Sequence, residues 1–574
     1  MTKIKLITVF IIFLYSCSDG NNDNETKIES KEKHDSIVEK DYSQEFFNEA
    51  TQEATNQIRK VIEDKVPEER IKVSGTGLYS SVLIPKFYLS NAFYPAWITS
   101  YNDFDIAFEM INFISDVKNH GLLPQDYHID ELRELKMQLI SDSSAVFNAE
   151  TITKIDVLLT DAFLMLSSHL NQGKVNPETF ETEWGIRRDK PELEIDEKLI
   201  QFLEEGSVVK NMNQFYPTIF DYELLIEKAK WITENLEKDK KLLIPEAKLS
   251  LDIYTDSTYN HLINEKLTLL GYSTTDNKDS LELIFNSIKK FQKHHGLNTH
   301  GKIGKLTLEA LNIPLQTRLD QLYVNMERLR WLPEKGTGKR VLVNIADFTL
   351  DYLENNDTLI HMRTVVGQNF RKTPVFNAKM SYLVFSPTWT VPPGILRKDI
   401  LPAVAKDISY LSSKGMIVKD RSGNVVNPAS IDWKKANASG RFPYTIQQMP
   451  GNQNALGRVK FMFPNKYSVY LHDTPSKSLF ARDERNFSSG CIRVEKPLEL
   501  AELLLQETGG WNTSKIANAM NQSTEKTVLL KTPIDVYIYY LTCWSHNGKV
   551  EFRKDIYNRD SAVLKALQEI NNNN

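Results

Sequence analysis

The stretch VYLHDTPSKSLFARDERNFSSGCIRVEKP, residues 469–497, decides how this chain is interpreted. Its first residues alternate between apolar and polar, which predicts a strand that ends at His472. Its last residues open an apolar helix pattern with Pro497 in the first turn. Cys491 lies 19 residues after the histidine, in a turn directly ahead of that predicted helix.

A thiol in this turn has several features that would help it to ionise. A free thiol, with a pKa of ~8.5, is only a few per cent thiolate near neutral pH. The imidazole of His472 would take the proton, and the resulting ion pair would stabilise the thiolate. Arg493 and the start of the following helix add positive potential beside Cys491. Backbone N–H groups of the Ser489-Gly490-Cys491 turn are expected to face a developing oxyanion.

Three interpretations of these residues stay open without geometry. In the first, Cys491 and Cys543 form a structural disulfide, as paired cysteines in an exported protein do. In the second, Cys491 fills apolar space and His472 is a core histidine with satisfied hydrogen bonds. In the third, the two side chains are nucleophile and base, which sequence spacing alone does not establish.

The bulk composition bounds the class of protein. A chain of 574 residues exceeds what one hydrophobic core organises, so two to four domains are expected. A net charge of -5 gives no reason to expect nucleic acid as a partner. A zinc peptidase would need a histidine–carboxylate ligand set, and the chain contains no HExxH pattern.

The first residues, MTKIKLITVFIIFLYSC, are typical of a secretory signal, because their apolar run is too short to span a bilayer. The ending LYSC resembles a bacterial lipobox, which implies a signal peptide over residues 1–16 and a lipid anchor on Cys17. A plain signal peptide with an incidental cysteine is the alternative. Residues 17–45 are polar and charged, and we predict that they form a disordered tether.

Three predicted domains follow, which makes the chain an α+β multidomain protein. Residues 46–245 show helical periodicity and predict a helical scaffold domain. Residues 250–313 predict a compact unit of three helices. Residues 314–560 alternate as strands do and predict a β-rich domain, into which a cap at about 397–450 is inserted. Residues 561–574 are left as a C-terminal tail.

The three-helix unit resembles the peptidoglycan-binding module. IKKFQKHHGL (288–297) and HGKIGKLTLEAL (300–311) match the signatures of its helix and of the loop and helix that follow. The resemblance implies glycan strands as a partner. A zinc site formed by His294, His295 and His300 is the alternative, which their uneven spacing disfavours.

The opening stretch itself resembles the catalytic motif of the L,D-transpeptidases, a histidine followed at a distance by S-x-G-C-[IV]-R. NMERLRWLP (325–333), SPTWTVPPGI (386–395) and FRKDIYNRD (552–560) are similar to the large multidomain members of Gram-negative bacteria. The resemblance implies that Cys491 is the nucleophile and His472 the general base. It implies further that neighbouring motif residues shape the nucleophile turn: Ser489, Gly490 and Arg493.

The resemblance also implies the reaction. The thiol would attack the third residue of a tetrapeptide stem, release D-alanine and pass the acyl group to a second stem, forming a 3–3 cross-link. No metal or organic cofactor is implied, because the thioester conserves the energy of the bond. The location implied is the periplasm, and carbapenems are implied as inhibitors. An L,D-carboxypeptidase or cross-link hydrolase with the same cysteine, and a non-catalytic wall-binding scaffold, are the alternatives.

Three aromatic and proline positions are candidates for substrate binding. Trp389 and Pro392 follow a predicted strand where the cap begins, so they either line the donor groove or pack beneath the cap. Tyr470 lies on the same strand face as His472 and either orients the stem or fills the core. Asp473 points to the opposite face from its neighbour, which disfavours a direct relay to the imidazole.

Overall fold

The computed structural model describes residues 43–64, 70–142, 144–179, 184–186, 193–240, 242–245, 257–273, 281–334, 336–355, 357–439 and 442–570. The predicted signal peptide, Cys17 and most of the predicted tether lie outside these residues. Within them, no helix combines the length and the apolar character that a membrane crossing requires. Helices dominate the first part and strands the last, which confirms the α+β fold class.

The N-terminal part is a helical layer around one long buried helix. Its helices are α1 (Ser43–Glu63), α2 (Leu83–Ser90), α3 (Asp105–Asp116), α4 (Ile129–Ser141), α5 (Ala149–Gln172), α6 (Ile195–Glu204) and α7 (Tyr222–Asp239). The short strands β1 (Lys72–Val73) and β2 (Thr76–Gly77) pair as a hairpin. Asn148 starts α5 by accepting hydrogen bonds from the first-turn N–H groups, and Gly173, with φ of 89°, ends it. The core of this layer extends from Phe47 to Phe215.

Helix α7 lies within the region predicted as the helical scaffold, but it packs on another core. Its buried side chains Leu225, Ala229 and Ile232 join the core of the C-terminal domain. Its neighbour there is α11 (Leu315–Trp331). The amphipathic pattern of α7 did not say which core its apolar face would join.

The middle unit contains α8 (Ser257–Leu269), α9 (Leu281–His294) and α10 (Lys305–Leu311). Ile263, Ile288 and Phe291 are fully buried in its core. Of the three histidines considered as a zinc site, His295 stacks its ring on Phe291 at 3.9 Å and faces Phe552 of the C-terminal domain at 5.7 Å. The described residues contain no group of three His, Cys, Asp or Glu side chains arranged to hold a metal ion.

The C-terminal domain is built on a closed ring of paired strands. The strands before the insertion are β3 (Trp184–Gly185), β4 (Lys339–Asn344), β5 (Thr349–Glu354), β6 (Asp357–Gly367) and β7 (Val375–Phe385). Those after it are β12 (Val459–Met462), β13 (Leu471–His472), β14 (Asn486–Ser488), β15 (Ile492–Val494) and β16 (Lys526–Tyr539). The pairing order is β12-β13-β15-β6-β5-β4-β16-β7, and it closes because β12 also pairs with β7.

An inserted subdomain has its own small core. It contains β8 (Trp389–Thr390), α12 (Pro393–Ile395), α13 (Leu401–Lys406), α14 (Ser409–Ser413), β9 (Met416–Lys419), β10 (Val425–Val426), α15 (Trp433–Ser439) and β11 (Thr445–Gln448). Its four strands pair in the order β10-β9-β11-β8, and Leu401, Val418 and Ile446 are buried beneath them. Its elements run from Trp389 to Gln448, whereas the predicted cap covers about 397–450.

The chain ends in helices and a hairpin around the ring. These are α16 (Pro497–Leu505), α17 (Thr513–Ala519), β17 (Cys543–His546), β18 (Lys549–Phe552) and α18 (Asp560–Gln568). An Asn-Gly turn joins β17 to β18, with φ of 48° at Asn547 and 69° at Gly548. The region left as a tail contains most of α18, and Val563 and Leu567 pack on Val324 and Trp331 of α11.

Candidate active site

Strand register brings the predicted nucleophile and base to one face of the ring. β13 and β15 are parallel, with Leu471 paired to Ile492 and His472 paired to Arg493. Leu471 and Ile492 are fully buried in the domain core. Side chains alternate along a strand, and paired residues share a face. His472, Arg493 and the flanking Cys491 therefore project together from the other face.

The imidazole of His472 is fixed in one tautomer by the backbone. Its Nδ1 lies 2.5 Å from the carbonyl oxygen of Asp473. A carbonyl only accepts, so Nδ1 must carry the proton and donate it. The other ring nitrogen, Nε2, is then the unprotonated one and can accept a proton from a thiol on the same face. The ring is 5% exposed, which keeps this arrangement largely out of water.

The carboxylate of Asp473 bonds to groups other than the imidazole of His472. One oxygen accepts the N–H of Arg458 at 2.8 Å, and the other accepts the ammonium group of Lys477 at 2.6 Å. Gly457 allows this close packing, because a Cβ there would lie 2.4 Å from the carboxyl carbon. The carboxylate is therefore not the partner of the imidazole, in agreement with the strand alternation that disfavoured such a relay.

The thiol of Cys491 lies against groups of the segment that leads into β13. It donates to the carbonyl of Ser468 at 3.9 Å. Burial raises its pKa, while the N–H and hydroxyl of Tyr470 and the charge of Arg493 act in the opposite direction. Tyr470 therefore contacts the sulfur as well as the base, since its ring lies edge-on to His472 at 5.7 Å. Of the two roles predicted for this tyrosine, the structure favours a place in the site over core filling.

The resting pair is neutral, which differs from the ion pair expected from the sequence. Burial and the nearby cations Arg493 and Lys460 lower the pKa of His472 to about 3. Burial raises the pKa of Cys491. Both shifts favour a protonated thiol beside a neutral imidazole.

The predicted contribution of the following helix is wrong. A three-residue strand, Ile492–Val494, separates Cys491 from α16, which begins at Pro497. The helix N-terminus is therefore displaced from the thiol, and a helix dipole weakens beyond its first turn. Arg493 is the source of positive potential at the sulfur.

The nucleophile turn is held by hydrogen bonds on every side. Ser488 donates through its hydroxyl to the carbonyl of Cys491 and accepts the N–H of Gly490 at 3.1 Å. The N–H of Gly490 is thus engaged and does not face a developing oxyanion, contrary to expectation. Gly490 has a φ of 114°, which side chains disfavour. The hydroxyl of Ser489 accepts from Arg371 at 2.7 Å.

Arg371 also ties the turn to the cap. Its guanidinium lies 3.2 Å from the carboxylate of Asp399, which precedes α13. Trp389 pairs with Gln448 in the cap sheet and packs partly on the cap core. Pro392 is exposed directly before α12. The structure gives neither Trp389 nor Pro392 a contact with the thiol or the imidazole, so their substrate-binding role stays a prediction.

Cys543 is not bonded to Cys491. Cys491 and Cys543 are both free thiols, so the disulfide interpretation is wrong. Cys543 is fully buried in the domain core, where it packs among apolar side chains. The residues that sequence analysis missed are Gly367, Arg371, Thr373 and Tyr557. The signal for Tyr557 was its place in the segment FRKDIYNRD, which is similar to the family, and that resemblance gave it no role.

Comparison with known proteins gives two matching families. Residues 338–536 match the L,D-transpeptidase catalytic domain, and residues 82–228 match the Scaffold domain. The first match contains β13, the nucleophile turn and the cap. The second contains α3, α4 and α5 and most of the helical core.

One relative shares substantial sequence identity. A Haemophilus influenzae protein, whose name assigns it provisionally to the L,D-transpeptidases, is 38% identical over 251 residues. The alignment covers 44% of this chain and 50% of that protein, so the chain spans about half the length of this relative.

Two mycobacterial structures are only distantly similar. An L,D-transpeptidase from Mycobacterium smegmatis is 14% identical, covering 36% of this chain and 61% of its own, with a TM-score of 0.18. L,D-transpeptidase 1 from Mycobacterium tuberculosis is 13% identical, covering 36% and 64%, with a TM-score of 0.14. Scores this low support no statement about this site.

Proposed function

The chain belongs to the L,D-transpeptidase family through its catalytic domain, and from that premise we propose that it forms 3–3 cross-links in peptidoglycan through a thioester on Cys491. The observation that carries the proposal is the commitment of His472 Nδ1 to the Asp473 carbonyl. It leaves Nε2 to take the proton of a thiol that projects from the same sheet face. Tyr470 completes the site by donating to the sulfur as negative charge develops there.

The first half-reaction makes the thioester. Sγ of Cys491 attacks the carbonyl carbon of the third stem residue while Nε2 of His472 takes the thiol proton. The tetrahedral intermediate carries an oxyanion, and its collapse breaks the bond to D-alanine. The leaving amine takes the proton from the imidazolium, so the histidine returns to its neutral form. The low pKa of His472 makes the imidazolium a strong acid at this step.

The second half-reaction transfers the acyl group. The side-chain amine of a second stem attacks the thioester carbonyl and gives a proton to Nε2. The thiolate leaves and regains that proton, which restores the resting pair and completes the new amide bond. If water attacks instead, the product is a tripeptide, and the enzyme is a carboxypeptidase or, on cross-linked stems, a hydrolase.

The remaining proposals concern the place of action and the inhibitors. Peptidoglycan as substrate places the protein in the cell envelope, and we propose the periplasm, with lipidated Cys17 as membrane anchor. The unit built from α8, α9 and α10 is proposed to contact glycan strands. Carbapenems are proposed to acylate Cys491. Ser489, Gly490 and Arg493 are proposed to shape and polarise the site.

The test is turnover of disaccharide-tetrapeptides by protein that lacks the segment before Ser43, where α1 begins. Products are followed by mass spectrometry. A dimer formed with loss of one D-alanine supports the proposal, and tripeptide monomers alone support the carboxypeptidase. Cys491→Ala should abolish both products, whereas the matched variant Cys543→Ala, which removes the buried thiol, should keep them. An unreactive wild-type protein would refute the proposal and favour the non-catalytic scaffold.

A further inference from the structure

We propose that Thr373 and Tyr557 form a positioning relay that aims the N–H of Cys491 at the oxyanion. The inference rests on the proposed acyl transfer, and it adds two residues that do not touch the reacting atoms. Tyr557 lies outside residues 338–536, the part of the chain that matches the catalytic domain family. A segment beyond that domain is thus proposed to complete its active site.

The first member of the relay is the hydroxyl of Thr373. It donates to the carbonyl oxygen of Gly490 at 2.9 Å and accepts the N–H of Gly367 at 2.9 Å. The side chain is 0% exposed, so water does not compete for either bond. Both capacities of the hydroxyl are used on backbone atoms, which fixes its orientation.

The hydrogen bond from Thr373 to the carbonyl of Gly490 also orients the N–H of Cys491, because both groups lie in one peptide plane. The carbonyl of Gly490 and the N–H of Cys491 belong to one trans peptide unit, so they point in opposite directions. A bond that holds the carbonyl from behind therefore aims the N–H forward, away from Thr373. That N–H has no acceptor among the residues that the structure describes, while the N–H of Gly490 is taken by Ser488. Cys491 therefore supplies a free backbone donor in this turn.

The second member of the relay is Tyr557. Its hydroxyl donates to the carbonyl of Gly367 and accepts the N–H of Thr373 at 3.3 Å. The ring is 2% exposed and stacks on Tyr540 at 5.7 Å with 14° between the planes. The guanidinium of Arg559 lies 5.1 Å from the centre of each ring. Tyr557 thus clamps both ends of the loop that holds Thr373 in place.

A carboxylate anchors this tyrosine in turn. Asp555 accepts the hydroxyl of Tyr540 at 2.5 Å and the N–H groups of Arg559 and Asp560 at 3.0 and 2.9 Å. The hydroxyl of Tyr540 also accepts the N–H of Tyr557 at 3.0 Å. Four of the nine residues of FRKDIYNRD (552–560) therefore have a structural explanation behind the nucleophile turn.

The test compares two reactions of the same thiol in the full-length chain, purified in detergent. Acylation by p-nitrophenyl acetate passes through an oxyanion, whereas alkylation by iodoacetamide does not. Neither reagent needs stem-peptide recognition, so the test stands even if the proposed substrate is wrong. Both reactions are read by mass spectrometry on the tryptic peptide 486–493, which separates Cys491 from the other cysteines.

Thr373→Val should slow acylation about 100-fold, because a misaimed donor loses most of its effect on an oxyanion. Tyr557→Phe should slow it about tenfold, since the loop keeps its other bonds. Alkylation should stay within about threefold in both variants, and Thr373→Ser, which keeps the hydroxyl, should acylate within about threefold of wild type. This split between two reactions is not what a general loss of structure produces.

Two matched controls remove buried hydroxyls that have no hydrogen-bond partner among the described residues. Thr364→Val lies on the same strand as Gly367, and Tyr352→Phe lies in the same domain. Both should acylate as wild type does. The inference is overturned if Thr373→Val acylates at the wild-type rate, if alkylation falls in parallel with acylation, or if Thr373→Ser behaves as Thr373→Val does.

Discussion

Replacing Gly367 by alanine is the sharpest single perturbation of the nucleophile turn that this fold offers. Gly367 ends β6, where three backbone segments touch. A Cβ at this position would lie 2.1 Å from the carbonyl oxygen of Arg371, 2.9 Å from the nitrogen of Thr373 and 3.1 Å from the Cα of Gly490. All three are backbone atoms, so no side-chain rotation relieves the contacts.

The size of the expected effect follows from these distances. Carbon needs roughly 3.2–3.5 Å to an uncharged neighbour, so the contact with Arg371 must open by about 1 Å. The movement falls on the Arg371–Thr373 loop, on the nucleophile turn, or on both. Overpacking of this kind costs about 1–3 kcal/mol of the free energy of unfolding. A displacement of about 1 Å near reacting atoms costs about 100-fold in rate.

The assay measures acylation of Cys491 and urea-induced unfolding for Gly367→Ala and for Gly509→Ala. Gly509 has no positive φ, and a Cβ there would meet nothing within 4 Å, so its variant should match wild type. Gly367→Ala should acylate about 100-fold more slowly than that control while it remains folded. Wild-type acylation together with an unchanged free energy of unfolding would refute the argument that the backbone around Gly367 leaves no room for a methyl group.

Three further predictions concern other parts of the chain. The rate of alkylation of Cys491 should rise about tenfold per pH unit from about pH 6 to about pH 9. The raised pKa of the thiol and the pKa of about 3 of His472 leave no thiolate–imidazolium pair, so the thiolate forms only as the pH rises. A rate that stays constant from about pH 5 would contradict this. Arg330→Met should lower the free energy of unfolding in urea by about 3–5 kcal/mol, since it leaves the buried carboxylate of Glu327 without the guanidinium that lies 2.7 Å from it. A loss below about 1 kcal/mol would contradict this prediction. Gln292→Leu should lower the stability of the three-helix unit by at least about 2 kcal/mol, because the buried amide bonds to Gly301, Lys302 and Thr307. Trypsin should then cleave that unit faster than in wild type, and unchanged cleavage would contradict the prediction.

The sequence predicted those parts of the site that depend on local alternation. VYLH and CIRV each alternate, so the faces of His472 and Cys491 follow from a period of two. The α+β class is confirmed for the same reason, because helical and strand periods separate along the chain. The helix predicted to begin near Pro497 does begin there, but the strand Ile492–Val494 that separates it from Cys491 was not predicted.

The remaining parts depend on contacts between distant segments. Tyr557 bonds to Gly367 across 190 positions, and Thr373 bonds to Gly490 across 117. In both cases a side chain bonds to a backbone carbonyl, which every residue carries, so no residue type marks the partner. The neutral resting pair was missed for a related reason. Burial, which lowers the pKa of His472, is a property of the assembled ring.

The carbonyl that orients His472 has a consequence for how this protein tolerates mutation. In a triad whose third member is a carboxylate, one nucleotide change can delete that member. In the site proposed here the third member is the peptide oxygen of residue 473, which all twenty amino acids supply. Substitution can only turn that oxygen away, and residue 473 is held both by its backbone N–H on the carbonyl of Val459 and by its carboxylate on Arg458 and Lys477. Mutations at position 473 should therefore weaken the proposed base gradually, so that such variants retain part of the proposed activity.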